Sequence, residues 1–171
     1  MKKAIIITGT PGTGKTTLAK KLEGDGYLVV NITNLVREKE LYETYDKKLD
    51  TLIVDEEKLE KELIKLIEAN KNKFPLVLDS HLVEIPKDFL FHCFVLRCSI
   101  KNLILRLKER DYKQRKIDEN VEAEIMEVVL TDMLDLYSPE KVTVINTDGD
   151  IEESYKKMKE KIESLLNIDS N

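Results

Sequence analysis

Nine consecutive residues, GTPGTGKTT (Gly9–Thr17), hold three of the six glycines of the chain beside one lysine and adjacent hydroxyls. Gly9, Gly14, Lys15 and Thr16 fit the spacing G-x-x-x-x-G-K-[ST]. The chemistry that needs this pattern is the holding of a polyphosphate. Glycine permits positive φ and close backbone approach. Successive N–H groups then face the anion, and a helix starting near Lys15 adds its positive end. Gly9, Gly12, Thr13, Gly14, Lys15, Thr16 and Thr17 are the expected nucleotide-binding set. Lys15 is expected to reach the β- and γ-phosphates, the Thr16 hydroxyl to bind Mg²⁺ and Thr17 to help hold the α-phosphate. ATP and Mg²⁺ are therefore the expected cofactors.

A second stretch, LVLDSHLV (Leu76–Val83), ends an apolar run on Asp79 and places His81 two residues on. Side chains two apart on a strand share a face, so Asp79 and His81 are expected side by side. With the phosphate loop accepted, Asp79 reads as the carboxylate that completes the Mg²⁺ shell with Thr16. His81 has two readings: a group that positions water near the γ-phosphate, or a partly buried histidine bonded to a backbone carbonyl. A third stretch, RLKERDYKQRK (Arg106–Lys116), carries six basic residues against two acidic ones. Arg106 and Arg110 are one helical turn apart and share a face. They suit a lid that closes over the triphosphate and stabilises the transferring phosphoryl group. Arg37, early in the long segment between the second and third strands, suits a bidentate grip on an acceptor phosphate.

Elements must bring these residues to one place. Apolar runs at Ala4–Thr8, Tyr27–Ile32, Leu76–Leu82, His92–Cys98 and Val142–Asn146 read as strands buried on both faces. Helical stripes separate or follow them: Leu59, Leu63, Leu66, Ile67; Ile100, Leu103, Ile104, Leu107; Val121, Ile125, Val128, Val129, Met133; and Ile151, Tyr155, Met158, Ile162, Leu165. Alternation of this kind predicts an α/β fold, a parallel sheet covered on both sides, with the ligand site at the carboxyl ends of its strands.

Composition narrows the classes. The chain has 171 residues and 42% hydrophobic content, which suits one domain with a real core. A net charge of −5 argues against a free nucleic-acid binder. The apolar run behind the two N-terminal lysines is too short for a signal peptide, and no stretch approaches a membrane span, so a cytoplasmic protein is expected. Cys93 and Cys98 form no metal or redox motif and read as buried filler on opposite faces of one strand. No Asn/Thr-Lys-x-Asp guanine reader is present, and Asp79 is not followed by the glycine of a D-x-x-G switch. A small phosphotransferase layout remains.

The set GTPGTGKTT, NITNLVRE, ELYETYDKKLDTLIVDEEKL, LVLDSHL, FHCFVLRC and LILRLKERDYKQRKIDENVEAEI resembles the adenylate kinase isoenzyme 6 family. The resemblance runs from about Lys3 to Val129 and in strand–helix order beyond. It implies a P-loop NTPase domain over 1–171 with a five-stranded parallel sheet flanked by helices, like the nucleoside-monophosphate kinases but with a short lid. It implies a monophosphate-binding insert over about 31–54 and a lid over about 108–118. It implies an acceptor-phosphate role for Arg37, stacking of Arg106 on the ATP base, and phosphate binding by Arg110. It further implies broad nucleotide use, ATP hydrolysis without an acceptor, and binding to a basic platform protein of the small ribosomal subunit. Two departures stand out. Where ordinary adenylate kinases carry Asp-Gly-x-Pro-Arg, this chain has Asp79-Ser80-His81-Leu82-Val83 and lacks that acceptor arginine. Where the lid pair usually has glycine before tyrosine, Asp111 precedes Tyr112, which predicts a stiffer hinge. Two rival readings stand: an ATP-driven assembly factor whose acidic insert (Asp46, Asp50, Asp55, Glu56, Glu57) docks a protein, and a small-metabolite kinase.

Overall fold

The computed structural model describes residues 3–46, 51–81 and 83–169. The sequence AIIIT makes β1 (Ala4–Thr8), and all five of its residues are buried. β-branched residues suit a strand packed on both faces. Among the described residues, β1 is the centre of a five-stranded parallel sheet in the order β2-β5-β1-β6-β7. The others are β2 (Val29–Asn31), β5 (Leu76–Asp79), β6 (Leu90–Arg97) and β7 (Val142–Asn146). All five expected strands are present. The second is shorter than expected, because Ile32 opens a helix, and the third ends at Asp79. Leu82, the end of the expected third strand, lies outside the described residues.

Helices cover both faces. On one, Ile5, Ile7, Val77, Phe94 and Leu96 meet α1 (Lys15–Gly24) and α7 (Ile151–Asp169) through Leu18, Leu22, Met158 and Ile162. On the other, Ala4, Ile6, Leu76, Leu78, Cys93 and Val95 meet α2 (Ile32–Glu38), α3 (Glu56–Ala69) and α6 (Val128–Leu136). Alternate residues of β1 thus feed separate cores, as the period of a strand dictates. The chain leaves β1 to β5 and β2 on one side and to β6 and β7 on the other. The crevice at that switch point, above the carboxyl ends, is where such sheets bind ligands.

Two regions depart from the sequence reading. The insert carries an antiparallel hairpin, β3 (Tyr42–Asp46) with β4 (Thr51–Val54), which the apolar pattern did not announce. β3 (YETYD) is largely polar and β4 (TLIV) is four residues long, and Tyr42, Leu52 and Val54 are only partly buried, so no fully buried run marks the hairpin. The stripe Val121–Met133 is two helices rather than one face. α5 (Gln114–Ile125) stops, Glu127 adopts φ 55°, and α6 begins again. The left-handed turn rotates the pattern, leaving Ile125 63% exposed while Met133 is fully buried. Cys93 lies on β6 in one core, whereas Cys98 follows the strand and joins a third cluster with Leu103, Leu107 and Ile117. Both are buried free thiols, and burial pushes Cys93 up to about 12. No helix among the described residues is long and apolar enough to cross a membrane.

Candidate active site

The phosphate loop leaves β1 through a passage that only glycine fits. A Cβ on Gly9 would lie 2.5 Å from the Leu96 carbonyl oxygen, at φ 147°. Gly14, at φ 100°, caps α1 in a left-handed conformation, and Lys15 and Thr16 open the helix. The loop is held from within. Thr13 is buried and its hydroxyl donates to Thr10 O at 2.8 Å. Its own carbonyl accepts from the Thr147 hydroxyl at 2.7 Å. The expected nucleotide role of Thr13 is thus accompanied by a bracing one. Thr17 is exposed on the first turn of α1.

Lys15 Nζ donates to the carbonyls of Gly9 at 2.8 Å and Thr10 at 3.1 Å. Burial lowers its pKa to about 8; Asp79 and Glu124 oppose the shift and Arg110 adds to it. Arg110 is therefore within electrostatic reach of Lys15, on the exposed end of α4 (Ile100–Glu109). A polyphosphate would supply the negative charge that restores a full cation.

Asp79 is 3% exposed at the end of β5. Its Oδ2 accepts from the Thr16 hydroxyl at 2.9 Å and from Asn31 Nδ2 at 2.9 Å. Two hard oxygens, a hydroxyl and a carboxylate, stand in contact beside the phosphate loop. This donor set fits Mg²⁺, which takes one or two protein oxygens and completes its shell with water and phosphate. Thr16 and Asp79 are the residues that would hold it.

His81 does not continue the strand. β5 ends at Asp79, Ser80 N–H donates to Ile7 O at 3.1 Å, and His81 follows in a bend. The period-two argument for a shared face with Asp79 therefore fails. Proximity survives. His81 is exposed, and its backbone carbonyl accepts from the Thr8 hydroxyl at 2.9 Å. Desolvation by the protein beneath it lowers the imidazole pKa; Lys15 and Lys116 add to this and Asp79 opposes it. A neutral ring beside the phosphate loop can accept a proton or orient water.

Arg106 is fixed in place. Nη1 donates to the Thr147 hydroxyl at 3.1 Å and to Gly12 O at 3.4 Å, and Nη2 to Thr147 O. A tight helical hairpin runs over the expected lid segment. α4 ends at Glu109 and α5 begins at Gln114, packed through Leu103, Leu107 and Ile117. Tyr112 N–H bonds to Leu107 O and Asp111 N–H to Lys108 O, a Schellman ending with Asp111 at φ 56°. Aspartate tolerates that conformation better than most residues. Asp111 therefore occupies the conformation for which glycine is the usual choice.

Arg37 lies exposed on the last turn of α2, while Ile32, Leu35 and Val36 bury the other face. The expected acidic insert has a concave face of about 430 Å³ lined by Glu43, Val54, Asp55, Glu56 and Glu57. Asp50 lies outside the described residues.

The sequence reading missed the floor of the site. Glu124 on α5 is 4% exposed; it accepts from the Thr10 hydroxyl at 2.6 Å and from Arg97 Nε at 3.1 Å. Arg97, ending β6, also pairs with Glu127. The available signal was spacing. Ile117, Val121 and Glu124 lie at helical intervals, so Glu124 is a charge on an apolar face. Asn31 was missed for another reason: it was read only as part of the expected second strand and insert, whereas its amide caps α2 and also holds Asp79.

A glycine loop joining the central strand to a helix, with a hydroxyl and a strand-end carboxylate beside its lysine, defines a P-loop nucleotide-binding domain. The AAA domain family model matches residues 5–127. The adenylate kinase isoenzyme 6 homologue of Dictyostelium discoideum is 38% identical over 143 residues, covering 82% of this chain and 79% of that protein. The Saccharomyces cerevisiae homologue is 35% identical over 147 residues, covering 84% of this chain and 73% of its own length. Against the Candida albicans homologue, 37% identical over 156 residues and 84% of this chain, the chain spans 61% of the relative's length. The chain belongs to the adenylate kinase isoenzyme 6 family, built on an AAA-type P-loop domain. Solved structures share the fold at low identity. A Sinorhizobium meliloti gluconokinase has TM-score 0.56 at 13% identity, covering 98% of this chain and 93% of its own. A deoxyadenosine kinase from M. mycoides with bound dATP has TM-score 0.56 at 17% identity, covering 94% and 99%.

Proposed function

We propose that the protein is a broad-specificity nucleoside-monophosphate kinase that transfers the γ-phosphoryl of Mg·ATP to AMP or a related monophosphate. The observation that carries this reading is the convergence of Lys15, Thr16 and Asp79 at the carboxyl ends of β1 and β5. The names of the relatives supply the acceptor class. In the transfer, an acceptor phosphate oxygen bonds to the γ-phosphorus as the bond to the β–γ bridging oxygen breaks, giving ADP and a nucleoside diphosphate. When bound, Mg²⁺ neutralises phosphate charge. The protein positions and stabilises charge rather than forming covalent intermediates. Lys15 turns from the loop carbonyls to the β- and γ-phosphates. Arg110, on the hairpin that serves as lid over about 108–118, adds charge over the transferring group. Arg106 presents its guanidinium to the base. Arg37 orients the acceptor in the insert over about 31–54. The proposed setting is cytoplasmic.

His81 extends the reading to hydrolysis. Without an acceptor, its neutral ring orients water at the γ-phosphate. His81→Ala then lowers acceptor-free ATP hydrolysis more than it lowers ATP affinity; equal losses sink that role.

A second reading is favoured by the acidic concave face of Glu43, Asp55, Glu56 and Glu57. An ATP-hydrolysing switch in small-subunit maturation would meet a basic ribosomal platform protein there. One assay separates the readings: ATP turnover with AMP, with other monophosphates, with a basic ribosomal protein, and with none. Stimulation by AMP with stoichiometric ADP supports the kinase. Turnover indifferent to every monophosphate overturns it, and modulation by the protein alone supports the switch.

A further inference from the structure

Asn31 and Asp79 face each other in register at the carboxyl ends of β2 and β5. One side-chain amide does two things there. Its oxygen accepts from Asn34 N–H at 3.0 Å and caps α2. Its nitrogen donates to Asp79 Oδ2 at 2.9 Å. The cap fixes the amide's orientation, because only the oxygen can accept an N–H. The same Asp79 oxygen accepts from the Thr16 hydroxyl. A hydrogen-bonded chain therefore runs from the first turn of α1, through Asp79 and Asn31, to the first turn of α2. The last turn of α2 carries Arg37. With seven residues and three of them buried, α2 is a short piece whose direction is set at its cap.

We propose that Asn31 is a positioning residue that relays metal binding on the donor side to the acceptor helix. The proposal rests on the kinase reading above. When Thr16 and Asp79 turn their oxygens to a divalent cation, the Asp79 carboxylate must adjust. The amide that holds it is the amide that caps α2. Mg·ATP then selects a setting of α2 and of Arg37, and by reciprocity an acceptor phosphate on Arg37 favours the metal-bound setting of Asp79. The two substrates are coupled through one side chain rather than through the bulk of the domain.

Two substitutions separate the relay from simple capping. Asn31→Ser keeps a capping oxygen but is too short to reach Asp79. Asn31→Ala loses both contacts. AMP affinity is measured by calorimetry with and without Mg²⁺ plus a non-hydrolysable ATP analogue, beside thermal melts of each variant. In the wild type the analogue tightens AMP binding by on the order of fivefold or more. The relay predicts that this ratio falls towards one in both variants, while Asn31→Ala, which also loses the cap, melts earlier than Asn31→Ser. A ratio retained in Asn31→Ser overturns the relay and leaves Asn31 a cap. Transfer to AMP decides the kinase reading separately. Wild-type transfer without coupling overturns the relay alone; absence of transfer to any monophosphate overturns the kinase reading with it.

Discussion

The proposed donor and acceptor halves of the site are built differently. Around the phosphate loop, Gly9, Thr10 and Thr13 are buried, Lys15 is bonded to two carbonyls, and Glu124, Arg97, Arg106 and Thr147 brace the loop from four other segments. In the insert, Arg37 is exposed on a seven-residue helix followed by a hairpin with no fully buried residue among those described. The first half is pre-organised for one kind of ligand, and pre-organisation is what electrostatic stabilisation requires. The second presents Arg37 amid much exposed polar surface. On the proposed reading, the donor is specified by the fold, and the acceptor by the Asn31 tether and by what meets Arg37.

The largest test of this contrast is Lys15→Ala. Loss of the central cation lowers turnover by on the order of 100- to 1,000-fold, by analogy with removal of other charge-stabilising donors. The loss appears with and without acceptor, because it lies in the donor half. Near-normal turnover would break the contrast. The same lysine gives a pH signature. Its pKa is held near 8 in the free protein, and phosphates raise it. Nucleotide binding therefore takes up a proton above about pH 8 and weakens as pH rises further. Calorimetry in buffers of different ionisation heat reads that proton directly.

Arg37→Ala comes next. Loss of a charge-assisted bond of about 1.5–3 kcal/mol raises KM for the monophosphate roughly 10- to 100-fold. KM for ATP moves far less. Equal rises in both would mean that α2 belongs to the donor half after all. Thr10→Val probes the bracing. It leaves the buried Glu124 carboxylate short of one donor, at about 1–3 kcal/mol of stability. Melting falls by roughly 2–4 °C per kcal/mol, and KM for ATP rises a few-fold. An unchanged melt would show that Arg97 alone satisfies Glu124.

The smallest effect lies at the opposite end of the sheet. His92 is fully buried on β6, its Nε2 is 2.8 Å from the Thr143 hydroxyl, and its Nδ1 has no partner among the described residues. Burial lowers its pKa from 6.5 to about 4, with Lys161 and Lys141 adding to the shift. Above pH 6.5 both folded and unfolded chains leave it neutral, so it contributes nothing to pH dependence there. Between 6.5 and 4 the unfolded chain binds a proton that the folded one refuses, so stability falls as pH drops through that window. Replacing the pair, His92→Leu with Thr143→Val, flattens that slope in melts at acid pH and leaves nucleotide binding intact.

The sequence was legible where pattern and chemistry coincided. Every strand of the parallel sheet announced itself as a run of branched apolar residues. The loop at Gly9–Thr17 and the carboxylate of Asp79 follow from strand order and the needs of a phosphate. Two kinds of feature were not legible. The β3–β4 hairpin has no buried run, so the period that reveals strands is absent. The bracing of the loop joins residues far apart in sequence. Thr10 and Glu124, or Thr13 and Thr147, have no local signal because their pairing exists only in three dimensions. His81 shows a third limit. The alternation rule holds only while the strand continues, and the strand stops at Asp79.

The long reach of that bracing bears on how the protein is made. Thr10 is held by a residue 114 positions later, and Thr13 by one 134 positions later. Chains emerge from synthesis amino end first. The phosphate loop is translated well before the residues that brace it: its floor arrives with α5 and its outer clamp only with the turn after β7. A nascent chain halted before Thr147 has the nucleotide-binding motif without the finished site. Completion of the phosphate-loop site thus waits on segments far downstream of the motif itself, and a folded site reports that those segments have been delivered and assembled.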